Sequence, residues 1–178
     1  MNSTSMERVR EAAKKIRLLL LDVDGVLTDG KLYYSESGSE SKAFNIQDGQ
    51  GIKLLQHNGI EVGIITGRSS KLLARRASEL GIERVVQGRE DKLTALNELL
   101  ETCDYQLEEI AHVGDDLPDV AVIRRVGLGI AVANANHFVA EHAQWQTSVP
   151  GGEGAIREVA ELILSAQGKL DDTLAHFL

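Results

Sequence analysis

RLLLLDVDGVLTDG, residues 17–30, runs four consecutive leucines into two aspartates, Asp22 and Asp24, set two residues apart. An unbroken leucine run without polar alternation reads as a strand covered on both faces, as in a parallel sheet between layers of helices. Burying an unpaired carboxylate is expensive, so two of them at the end of such a strand imply a use. In open parallel sheets ligands bind outside the carboxyl ends of the strands, which is where this acidic pair falls.

Outward from this stretch, short apolar runs alternate with helical patterns. Strands are expected at 16–23, 61–65, 84–86, 110–113 and 129–132. Helices are expected at 49–57, 69–80, 92–103, 117–126, 137–144 and 153–167. Strands separated by single helices make βαβ units, so the predicted class is α/β: a Rossmann-like parallel sheet flanked by helices, in one domain spanning 1–178. Residues 30–45 break the rhythm and read as a protruding β-hairpin around Ser37 and Gly38. A tail is expected after about residue 168.

Composition narrows the function. The net charge of -8 and the lack of a basic stripe argue against a nucleic-acid partner. Aromatic residues are 4% of the chain, so the core must be Leu, Ile, Val and Ala. Cys103 is the single cysteine, which fits a reducing, cytoplasmic setting. The start is too charged for a signal peptide and the leucine run too short for a membrane span.

The expected strand ends gather chemistry on one rim. The first supplies Asp22 and Asp24, the second Thr66, Gly67 and Arg68, the third Arg89 and Lys92, and the fourth Asp115, Asp116 and Asp119. Carboxylates of this kind suit Mg²⁺, a hard cation that keeps waters and binds phosphate oxygens. A carboxylate attacking a phosphate meets repulsion of about 4 kcal/mol per unit charge pair at 4 Å and an effective dielectric near 20. A bound Mg²⁺ and Lys92 relieve it. Thr66 can donate to a phosphoryl oxygen, and the pattern points to phosphoryl transfer through an aspartyl-phosphate. The histidines show no metal-ligand spacing and read as structural.

DVDGVLTDG, ITGR, DK and GDDLPD, in this order, resemble the motifs of the haloacid dehalogenase superfamily. FNIQDGQGIK and GGEGAIRE narrow the resemblance to its subfamily of 3-deoxy-D-manno-octulosonate 8-phosphate phosphatases, which act in lipopolysaccharide precursor synthesis. The resemblance implies a phosphoric monoester hydrolase with Asp22 as nucleophile and metal ligand. Asp24 is implied as general acid/base, offering its backbone carbonyl to Mg²⁺, and Asp115 as the remaining ligand. Thr66 and Lys92 would hold the phosphoryl group. Implied substrate contacts are Asn45, Gln47, Asp48, Gly49, Lys53, Arg68 and Arg76; at Gln47 the chain departs from a pattern that commonly has Arg. A nine-carbon, sialic-acid-type 9-phosphate is the alternative substrate. A phosphorylated receiver domain fits less well, because receivers carry the acceptor and the acidic pair on different strands.

The stretches between Asp22, Thr66 and Lys92 hold no separate cap domain. The resemblance then implies a homotetramer whose hairpins cover neighbouring sites. The glycines at 151, 152 and 154 are expected to let the segment after them close over the mouth.

Overall fold

In the computed structural model, which describes residues 3–178, the leucine run forms β1 (Leu18–Leu21), and all four side chains are buried. β1 is central. It pairs in parallel with β4 (Glu61–Ile65) on one side and β6 (Ile110–Gly114) on the other. Leu18 stands opposite both Glu61 and Ile110 in this register. With β5 (Arg84–Val86), β7 (Leu128–Ala131) and β8 (Trp145–Gln146) the sheet has six strands in the order β5-β4-β1-β6-β7-β8, all parallel.

Successive strand side chains alternate between faces. Leu19 and Leu21 join the larger core, with Ile52 and Leu55 of α2 (Ile46–His57), Leu73 of α3 (Lys71–Leu80) and Ile156, Val159 and Ile163 of α7 (Ala155–Ala166). Leu18 and Leu20 join the other, with Ala95, Leu96 and Leu99 of α4 (Lys92–Leu100) and Val122 of α5 (Val120–Ile123). Two covered faces explain why the run lacks polar alternation.

The hairpin is β2 (Tyr33–Tyr34) against β3 (Glu40–Ser41), antiparallel, with Tyr34 opposite Glu40. Gly38 takes φ +80° in its turn.

Four features differ from the expectations. The helix expected at 117–126 is a 3₁₀ turn, Leu117–Asp119, leading into the four-residue α5. The Asp119 carboxylate folds back to accept the Asp115 and Asp116 amides, a capping arrangement at the start of that turn. The helix expected to reach 144 is α6 (His137–His142), and the chain then re-enters the sheet as β8. An unforeseen helix, α1 (Ser3–Ala13), adds Val9 and Ala13 to the larger core, and α8 (Leu170–Ala175) lies in the expected tail.

The fourth concerns the glycine turn at 151–154. It does not swing its segment over the mouth. The Gly152 amide donates to the Val26 carbonyl at 2.9 Å, and a Cβ on Gly151 would overlap the Gly25 carbonyl. The turn therefore lies backbone-to-backbone against the loop that follows Asp22, and α7 continues into the core.

Candidate active site

Asp22 follows β1 directly, and its amide still donates to the Val113 carbonyl at 3.0 Å. Ladder bonding thus carries the carboxylate to the carboxyl rim of the sheet. Lys92 is the first residue of α4, whose N-cap Asp91 accepts from the Thr94 amide at 3.0 Å. The Lys92 side chain is buried, and its ammonium lies 2.9 Å from Asp22 Oδ1 and 2.7 Å from Asp119 Oδ1. Burial disfavours the ammonium, but Asp119 and Asp22 outweigh it and raise its pKa. Burial, with the nearby Asp119 charge, pushes the Asp22 carboxyl up, against the pull of Lys92.

Asp119 is fully buried. Oδ1 also meets His112 Nε2 at 2.8 Å, and Oδ2 accepts the amides of Asp115 and Asp116 at 3.3 and 3.4 Å. Burial opposes its charge, yet His112 and Lys92 hold it below the ordinary carboxylate range.

Asp115 closes the group. Ligand atoms of Asp22, Asp115 and Asp119 lie within 4.8 Å of one another. Asp115 Oδ1 is buried without a hydrogen-bond partner. Burial, then the charges of Asp22 and Asp119, push the Asp115 carboxyl up to about 7. An orphaned oxygen in an all-oxygen cluster fits a hard divalent cation. Gly25, at φ +95°, makes room, since a Cβ there would overlap the Asp115 carboxylate.

The Asp24 carboxylate stands apart from this cluster. Oδ1 pairs with Lys42, just past β3, and Oδ2 lies 3.7 Å from Arg68. Arg68 also meets Glu40 of β3 at 2.9 Å, so the hairpin's return strand reaches the site of its own chain. Thr66 is buried at the end of β4, fixed by backbone bonds to Val86 and Arg89. Asp22, Asp24, Thr66, Arg68, Lys92 and Asp115 line one cleft of about 540 Å³, with Leu32 and Tyr34 at its edge.

The family profile of haloacid dehalogenase-like hydrolases matches residues 79–157. A 3-deoxy-D-manno-octulosonate 8-phosphate phosphatase of Yersinia pestis is 50% identical over 163 residues, covering 92% of this chain and 87% of that protein. The chain belongs to the haloacid dehalogenase-like hydrolases. Among solved structures, a probable phosphatase from Pseudomonas syringae superposes with a TM-score of 0.94 at 54% identity, covering 96% of this chain and 97% of that one. The 3-deoxy-D-manno-octulosonate 8-phosphate phosphatase of Moraxella catarrhalis, in complex with magnesium, phosphate and KDO, superposes with a TM-score of 0.95 at 46% identity. It covers 97% of this chain and 99% of its own.

In this haloacid dehalogenase-like hydrolase, Arg68 alone of the expected substrate contacts lines the cleft. The others gather on α2 and α3. Asn45 caps α2 and donates to the Gly152 carbonyl at 3.3 Å. Gln47 lies beside Gly154. Asp48 Oδ1 accepts the Ile156 and Arg157 amides at 2.9 and 3.1 Å, capping α7. Lys53 donates to the Leu80 carbonyl at 2.6 Å, and Arg76 packs across Gly49 while pairing with Glu79. The sequence places Asp119 on the rim but gives it no role, and it does not foresee His112 or Lys42 at the site. The GDDLPD motif signalled Asp119, but no local pattern marks His112 or Lys42.

Proposed function

We infer that this chain is a Mg²⁺-dependent phosphatase that hydrolyses 3-deoxy-D-manno-octulosonate 8-phosphate to the free sugar acid and phosphate. The observation that carries this reading is the Asp22–Lys92–Asp115 grouping on the rim of β1, with Asp24 lining the same cleft. Asp22, Asp115 and the Asp24 carbonyl would hold the cation. When bound, it offsets the repulsion between Asp22 and the incoming phosphate. The names of the relatives favour the eight-carbon acid over a nine-carbon homologue.

Asp22 attacks phosphorus, and the bond to the sugar oxygen breaks while Asp24 gives that oxygen its proton. Thr66 and Lys92 hold the phosphoryl oxygens as charge shifts onto them. Water then adds to the aspartyl-phosphate, Asp24 takes its proton, and phosphate leaves with Asp22 restored.

Arg68 at the rim suits the substrate carboxylate. Asn45, Gln47, Asp48, Gly49, Lys53 and Arg76 lie outside this chain's own cleft lining. A homotetramer that brings one protomer's surface to a neighbour's mouth gives them a route to substrate. The reading places the enzyme in the cytoplasm, in lipopolysaccharide precursor synthesis; no helix among the described residues is long and apolar enough to cross a membrane.

The test is phosphate release from eight- and nine-carbon keto-acid phosphates and a neutral ester, with Mg²⁺ and in excess chelator. Release should be fastest with the eight-carbon acid, vanish in chelator and be lost in Asp22→Asn. Full activity in chelator overturns the metal role, and turnover by Asp22→Asn overturns the covalent route.

A further inference from the structure

His112 is a buried polar side chain that the mechanism leaves without a task. It sits mid-strand in β6, fully buried, in register with Leu20 of β1. We propose that His112 is a positioning residue for phosphoryl transfer, orienting the Asp119 carboxylate so that Lys92 is held against Asp22 and the Asp115–Asp116 backbone is held in place. This rests on reading the site as a phosphatase.

The contacts form one connected chain. His112 Nε2 lies 2.8 Å from Asp119 Oδ1. The same oxygen accepts from Lys92 at 2.7 Å, and Lys92 stands 2.9 Å from Asp22. The other Asp119 oxygen accepts the amides of Asp115 and Asp116. A carboxylate's terminal torsion is broad and roughly two-fold, so a single contact fixes it poorly. An ammonium is a point charge on a flexible stem and does not define a plane. The two amide contacts on the other oxygen are long, at 3.3 and 3.4 Å, and a ring rooted in the central sheet adds a shorter, rigid direction at 2.8 Å.

The cost of the arrangement supports a role. His112 Nδ1 is buried with no hydrogen-bond partner, so among the described residues Asp119 is the ring's one hydrogen-bond partner. Leaving a buried polar atom unpaired is unfavourable. The neighbouring positions on the same face, Ile110 and Leu20, are apolar and pack in the smaller core. A residue needed only to fill space here would be apolar too.

The test compares His112→Phe, which keeps a ring without a donor, with His112→Gln, whose side-chain amide can place an N–H near the imidazole Nε2. kcat and KM are measured on the sugar-acid phosphate and on p-nitrophenyl phosphate at saturating Mg²⁺, with thermal unfolding alongside. His112→Phe should lower kcat about tenfold on both esters. KM should stay within about twofold, and His112→Gln should recover most of the loss. A folded His112→Phe with kcat within about twofold of the parent overturns the proposal, as does a folded His112→Gln no better than Phe. If Phe does not fold, His112→Leu takes its place under the same criteria. Turnover of p-nitrophenyl phosphate alone defeats the substrate reading and still decides the role of His112. No turnover of any ester defeats the phosphatase reading and this proposal together.

Discussion

Lys92 Nζ stands 2.9 Å from Asp22 Oδ1, joining the first residue of α4 to the first residue after β1. The ammonium is buried and serves two carboxylates at once. Lys92→Met removes the positive charge between them, leaving Asp22 without its cation and Asp119 with only His112 and the backbone amides. Loss of one partner of a buried pair costs about 3 kcal/mol or more. The expected result is a loss of that order in urea unfolding in chelator, with turnover down at least about a hundredfold. Unchanged stability would show that Asp22 and Asp119 do not depend on Lys92.

Asp115 sets a pH dependence. Its folded pKa of about 7 lies above the ordinary carboxylate value, because burial and the charges of Asp22 and Asp119 favour the protonated form. A group raised in this way contributes stability that is present below its unfolded pKa and is lost as pH rises through about 7. Cation binding needs the ionised form. The rise in melting temperature on adding Mg²⁺ should therefore be larger at pH 8 than at pH 6. The opposite order in paired melts would exclude Asp115 as a ligand.

Gly25 is irreplaceable for two separate reasons. Its φ of +95° is strained for a residue with a side chain, at about 1–2 kcal/mol, and a methyl group there overlaps the Asp115 carboxylate. Gly25→Ala should raise the Mg²⁺ concentration for half-maximal activity at least about tenfold, since Asp115 must move. Titration of activity against Mg²⁺ checks it, and an unshifted midpoint would refute the steric argument.

The hairpin carries exposed apolar surface at the mouth: Leu32 and Tyr34 both line the cleft and are exposed. In the proposed homotetramer this surface meets a neighbouring protomer. Replacing both with Ser should lower the mass seen by light scattering and reduce turnover together. A fully active monomeric parent would show that no neighbour completes the site.

The legible parts of the chain were those whose cause is local. The leucine run declared a doubly covered strand, and the rim residues followed from the ends of strands. β8 escaped because two residues carry no period, and its place is set by pairing with β7. α1 was written in Met6, Val9 and Ala13 at helical spacing, but the surrounding charges hid it. Asp48 and His112 were unreadable for a different reason. Each makes its decisive bonds to another element, Asp48 to amides more than a hundred residues downstream and His112 to a turn outside its strand.

The contact between the glycine turn and the loop after Asp22 also orders events in time. Asp22 is made well before the backbone that braces its loop, Gly151 and Gly152. Lys92 and Asp119 also lie between them in the chain. The contacts that brace the Asp22 loop therefore form only after the chain has been translated through the glycine turn.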